Sequence, residues 1–342
     1  MKKLFVYALK CCVALIISVV LLSLFSLFYY NPPIASKQPD RSTNYKYIPN
    51  KTWSYMTEGY GYGKTDSLGY NNAYYANLTD PDIVVVGSSH MEALEVPENA
   101  NCVYLLNELF DKDDVPDNNY KCLNLGVSGH SFQVTASNYK SIANKFQGSK
   151  YIVIEAFEVE FSSQTLDDII AEKFSTPMEE KSFLAETMQK VPFVRALYKK
   201  INETKPVQTT TAESTDSNNV VYDLNEYTDK LNIVLKKIAE ISAENNVEPI
   251  IMLHDRFWEN EEGEFVFTTD KAYKDAFKKC CDINGIKVID VSSKMVNEYK
   301  NSFAPSYGFA NSEPGDGHLN KTGHRIIAET VYEYINEMEE NK

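Results

Sequence analysis

Cysteine is scarce in this chain, with six among 342 residues, and no pair has the spacing of a zinc ribbon or a dithiol redox motif. A disulfide-built scaffold is therefore excluded, and the sequence suggests no metal. Positive charge is also in deficit: 34 Lys and Arg stand against 48 Asp and Glu, a formal net charge of −14. Three of those lysines (Lys2, Lys3, Lys10) crowd the N-terminus, so the rest of the chain is more acidic still. Such a body repels phosphate backbones, which excludes nucleic acid and anionic lipid headgroups as partners. What is plentiful is apolar matter: hydrophobic residues make up 43% of the chain, enough to bury a substantial core.

From Cys11 to Tyr30 no charge interrupts a run rich in Leu, Val, Ile and Phe. A bilayer core takes about 20 such residues as a helix, so a single span near residues 5–30 is expected. Lysines precede it and Tyr29, Tyr30, Pro32 and Pro33 follow it. The positive-inside rule then puts residues 1–30 down as cytoplasmic N-terminus plus anchor, with the body on the extracytoplasmic side of the cell membrane. A cleaved signal peptide is the competing reading, against which stand the length of the run and the lack of an A-x-A site. Cys11 and Cys12 lie at the start of the run rather than at its end, the wrong place for a lipoprotein cysteine.

Residues 31–80, rich in Tyr, Asn, Gly and Pro, read as a tether and lead-in. After them, short β-branched runs recur at Ile83–Val86, Cys122–Val127, Tyr151–Ile154, Pro249–Leu253 and Ile286–Val291. They are too apolar for strands with one wet face and fit a five-stranded parallel sheet covered on both sides. Helical patterns separate them. One begins at Asp223, with Glu226 completing a capping box; another near Thr269–Cys281 makes Cys280 and Cys281 buried hydrophobes; the last follows Asn320. The expected fold is α/β: a flavodoxin-like, doubly wound three-layer α/β/α domain over 81–338, preceded by one transmembrane helix. Residues 203–219, almost without apolar side chains, are expected as a mobile loop.

Reactive groups in such sheets collect at the carboxyl ends of strands. Gly87-Ser88-Ser89-His90 follows the first run, Asn124-Leu125-Gly126-Val127-Ser128-Gly129-His130 the second, and Asp316-Gly317-His318 precedes the last helix. A Ser after a strand is an N-cap as readily as a nucleophile, a Gly there a tight turn as readily as an oxyanion donor. His90 and His130 either line a cleft and touch substrate or fill helix starts. His254-Asp255-Arg256 borders the same region, and His324 reads as structural.

In this order the clusters resemble the SGNH (GDSL) hydrolase superfamily over roughly residues 65–335, and Leu68-Gly69-Tyr70 and Val96-Pro97-Glu98 resemble its membrane-tethered, exported members. The resemblance implies Ser89 as nucleophile, the N–H groups of Ser89 and Gly129 as oxyanion donors and His318 as base; His90 and His130 stay candidate substrate contacts from their place in the cleft, and no cofactor is expected. Two departures bear on activity. The third block, Glu155-Ala156-Phe157-Glu158-Val159-Glu160-Phe161, has no Asn for a further oxyanion donor, a loss of about 2.7–4 kcal/mol of transition-state stabilisation. Gly315 stands three residues before His318, so the acid falls to Asp316 at D-x-H spacing, with Glu313, Asp255 or a backbone carbonyl as substitutes.

The function expected on this basis is a membrane-anchored serine esterase or O-acyltransferase acting on acylated glycans or cell-envelope polymers. By the same resemblance a multi-span membrane acyltransferase is its partner. The alternatives are a non-catalytic envelope scaffold or glycan-binding protein and, ranked last, a lipase.

Overall fold

The computed structural model describes residues 2–341 apart from positions 37, 39, 41, 44, 113–118, 175–190 and 204–222. The stretch expected as a mobile loop therefore lies, from 204 onward, outside the described residues. A helix Lys2–Tyr29 opens the chain, largely exposed and with a mean hydropathy of 2.8 over an 18-residue window, long and apolar enough for a membrane anchor or a signal sequence.

Next come the short strands β1 (Thr52–Tyr55) and β2 (Gly61–Lys64), paired as an antiparallel hairpin. The main sheet holds β3 (Ile83–Val86), β4 (Cys122–Asn124), β5 (Tyr151–Phe157), β6 (Glu248–His254) and β9 (Lys287–Asp290). All pair in parallel in the order β4-β3-β5-β6-β9. A second hairpin, β7 (Phe257–Glu259) with β8 (Phe265–Phe267), follows the end of β6.

Side chains alternate across the sheet as the pleat demands. Val84, Val86, Leu123, Ile152, Ile154, Ile251 and Leu253 pack with the helices Phe132–Lys145, Leu224–Asn245 and Lys271–Ile283. Ile83, Val85, Tyr151, Val153, Ile250, Met252 and Ile289 face the helices Cys102–Lys112, Ser292–Ser302 and Lys321–Glu340. Both faces are covered, which is why the strands read as continuous apolar runs; the fold is the expected three-layer α/β/α. Cys280 and Cys281 are buried free thiols in the first of these cores.

Some boundaries differ. β4 ends at Asn124, yet the N–H groups of Leu125 and Val127 still reach the carbonyls of Val85 and Gly87. Asp223 caps its helix through the Asn225 N–H at 2.9 Å, but Glu226 turns to Ser163 and Lys230 rather than closing a capping box.

The segment 31–80 is fastened to the body. Asp66 accepts the N–H groups of Leu68, Gly69 and Tyr70, and Asn72 bridges Asp66 to both backbone groups of Asn124. Trp53 of β1 is buried. The hairpin also lies tight on the loop after the one-turn helix Ser89–Glu92: a Cβ at Gly61 would stand 1.9 Å from the Leu94 carbonyl oxygen.

Candidate active site

β3 sits between β4 and β5, so successive connections leave it in opposite directions, and a crevice opens at its carboxyl end. Ser89 stands there as the first residue of the one-turn helix Ser89–Glu92. Its Oγ lies 2.9 Å from Nε2 of His318. The other ring nitrogen, Nδ1, is 2.6 Å from Oε2 of Glu58, and the His318 backbone N–H donates to the second oxygen of that carboxylate at 2.9 Å. A hydroxyl, an imidazole and a carboxylate are thus in line, each within hydrogen-bond reach of the next. Glu58 belongs to the turn between β1 and β2, 260 residues before the histidine it holds.

Asp316 is not part of this line, which corrects the expectation that it orients the ring. Gly315 and Gly317, both at positive φ (93° and 84°), turn the chain on either side of it. The turn directs the Asp316 carboxylate outward to the Arg256 guanidinium, where it is more than half exposed. Arg256 is shared with Glu158 at 2.6 Å. Residues two apart diverge here, and the guanidinium offers the stronger attraction.

His90 and His130, the candidate substrate contacts, are both buried. His90 is 6% exposed and forms the floor beneath His318, its ring 5.4 Å from that ring and 4.5 Å from Phe157. Burial, then the neighbouring His254 and His318, push its pKa well below the ordinary value, so it is neutral. His130 is buried with its ring edge-on to Tyr45, and burial lowers its pKa to about 4. His254 is fully buried rather than at a pocket rim. It bonds Tyr307 at 2.7 Å and Glu155 at 2.8 Å. The second oxygen of Glu155 accepts the Ser88 N–H, so this buried carboxylate fixes the turn that presents Ser89. His324 is buried and accepts the Cys102 N–H, a structural role.

Gly129 is exposed at φ 82° with open space where a Cβ would point. Its neighbour Ser128 bonds Glu92, the last residue of the helix that Ser89 begins. The N–H groups of Ser89 and Gly129 have no acceptor among the described residues.

The electrostatics of His318 are set by carboxylates. Burial lowers its pKa, but the hydrogen bond to Glu58 and the charges of Glu95, Glu58 and Glu92 outweigh this and raise it to about 9. Glu58 itself, despite its burial, is held below its ordinary value by the hydrogen bonds from His318. Glu95, with Oε1 3.9 Å from Nδ1, is almost wholly buried, and that burial raises its pKa to about 7. No group of three or more potential metal ligands occurs among the described residues.

Ser89 and His318 meet at the switch point of the β4-β3-β5-β6-β9 sheet as the sequence suggests, with Glu58 in the place expected for Asp316. No protein-family model and no curated protein matches the chain. Among solved structures it is similar to a lipolytic protein of the G-D-S-L family from Veillonella parvula, at 15% identity over 73% of this chain and 96% of that one, TM-score 0.37. An acetyl xylan esterase is similar at 13% identity over 74% and 99%, TM-score 0.41. A GDSL-like lipase from Bacteroides thetaiotaomicron follows at 12% over 75% and 88%, TM-score 0.35.

Sequence reasoning missed Glu58, for which a Glu in a glycine-rich stretch (Glu58-Gly59-Tyr60-Gly61) is the sole trace. The hairpin's seating gives a direct test. Gly61→Ala would set a Cβ against the Leu94 and Val96 carbonyl oxygens and push the hairpin outward. A displacement of about 1 Å can cost 10²-fold. Ester turnover in this variant should fall on that scale, and turnover close to the parent's would show that the hairpin does not set the position of Glu58.

Proposed function

We propose that this chain is a membrane-anchored serine esterase or O-acyltransferase of the SGNH type, acting outside the cytoplasm on acylated glycans or cell-envelope polymers. The observation that carries the reading is the unbroken line Ser89–His318–Glu58. Ser89 Oγ attacks the ester carbonyl carbon while its proton passes to Nε2 of His318, and Glu58 stabilises the imidazolium through Nδ1–H. The Ser89 and Gly129 N–H groups receive the charge that develops on the carbonyl oxygen. His318 returns the proton to the departing alcohol, leaving an acyl-Ser89. Water, or a sugar hydroxyl in a transferase, then gives its proton to His318 and takes the acyl group, and His318 passes that proton to the departing Ser89 Oγ.

A fixed anchor suits a substrate held at the cell surface. The acidic body argues against anionic headgroups, and a multi-span membrane acyltransferase remains the proposed supplier of acyl groups.

Two experiments test this reading. The full-length chain, incubated with p-nitrophenyl acetate and quenched in acid, should carry an acetyl group on Ser89 by peptide mass spectrometry. Neither adduct nor turnover would favour the non-catalytic scaffold. For topology, protease added to intact cells should degrade the body; full protection would place it on the cytoplasmic side.

A further inference from the structure

Beyond the catalytic line, a groove of 810 Å³ runs between the β7–β8 hairpin and the loop that leads to His318. Its walls combine the aromatic side chains of Trp258, Phe257, Tyr299 and Phe303 with the charged ones of Arg256, Glu259, Glu313 and Asp316. Trp258 is 52% exposed and Phe303 77%, large costs in apolar surface for a folded domain if nothing covers them. Gly315 and Asp316 belong to the groove wall, and His318 follows two residues later, so the groove begins beside the catalytic loop.

We propose that this groove is a subsite for an uncharged pyranose chain, one that leads a polymer toward Ser89. The inference rests on the esterase reading and names the class of chain that carries the ester. Pyranose rings have flat C–H faces and a rim of hydroxyl groups. Flat exposed indole and phenyl rings receive the faces, and carboxylates accept hydrogen bonds from the rim. An acyl chain would gain nothing from the carboxylates that line the groove, and each acid it covered would lose water.

Charge narrows the class further. The Arg256 guanidinium is already paired with Glu158 and Asp316, while Glu259 and Glu313 add further negative charge to the walls. A chain bearing uronates or phosphates is therefore repelled. The β7–β8 hairpin supplies Trp258 at the carboxyl end of β6, the same edge of the sheet that carries the catalytic groups.

The test is calorimetric titration of the full chain in lipid nanodiscs. The probes are chitohexaose, xylohexaose, hexagalacturonate and dodecanoate. At least one neutral hexaose should bind, hexagalacturonate should bind at least about tenfold more weakly, and Trp258→Ala and Phe303→Ala should each weaken the neutral sugar by about tenfold or more. Both side chains are exposed, and unchanged circular dichroism would show that the variants fold. Ser89→Ala should bind the hexaose like the parent, because Ser89 does not line the groove. Binding of dodecanoate with no hexaose bound, or hexaose binding unaffected by both aromatic variants, would overturn the proposal. Hexaose binding in a chain without esterase activity would instead leave the groove standing and remove the catalytic reading.

Discussion

Replacing Ser89 by Ala should lower turnover of p-nitrophenyl acetate by about 10⁴-fold or more while leaving the domain folded. The hydroxyl is the attacking atom in the proposed reaction, and His318 and Glu58 have no proton to move without it. The structural cost is small. Ser89 is half-buried and its Oγ has a single described partner, His318. Its removal should change stability by about 1 kcal/mol, the net worth of an ordinary hydrogen bond. The Ser88 cap and the clamp from Glu155 hold the turn independently of that hydroxyl. Matched thermal unfolding of both proteins separates loss of chemistry from loss of fold. Parental turnover in the variant would put the nucleophile elsewhere.

The buried clamp explains why Ser89 was legible in the sequence and its carboxylate partner was not. Parallel strands covered on both faces must be apolar throughout, so Ile83–Val86 and Tyr151–Phe157 announce themselves, and polar residues directly after such runs fall at the sheet's reactive edge. Ser89 and His318 were found by that rule. Glu155 was visible only as a departure from a family pattern. Its use, bonding His254 and the Ser88 N–H while buried, depends on which strands are neighbours. Asp316 illustrates the opposite error. Proximity in sequence to His318 made it the natural acid, but two positive-φ glycines and a guanidinium across the crevice decide where its carboxylate goes. Glu58 enters from a hairpin whose four-residue strands carry too little periodicity to place, and whose docking is set by close backbone contacts at Gly59 and Gly61. Contacts of that kind have no signature in local sequence.

The acid can be tested against its former candidate through the pH profile. Because His318 is raised to about 9 by surrounding carboxylates, it is protonated in the resting enzyme at neutral pH and cannot accept the Ser89 proton. In the parent, kcat/KM should therefore climb about tenfold per pH unit up to about pH 9 and then level off. Glu58→Gln removes the hydrogen-bonded negative charge and leaves burial, which acts in the opposite direction, so the His318 pKa must fall and the rising limb must move to lower pH. The plateau should drop at the same time, by about 10²–10⁴-fold, since the imidazolium formed during attack is no longer stabilised and its tautomer is no longer held. Glu95→Gln also takes negative charge from beside Nδ1, so it should shift the limb in the same direction. It should spare most of the plateau, because Glu95 is not in hydrogen-bond contact with the ring. Asp316→Asn removes a carboxylate whose partner is Arg256, and it should move the limb little and cost less than about tenfold in kcat. The four profiles, read together, distinguish a charge that tunes the histidine from a charge that holds it. A plateau retained in Glu58→Gln and lost in Asp316→Asn would return the role to Asp316 and require the loop at Gly315 and Gly317 to rearrange during turnover.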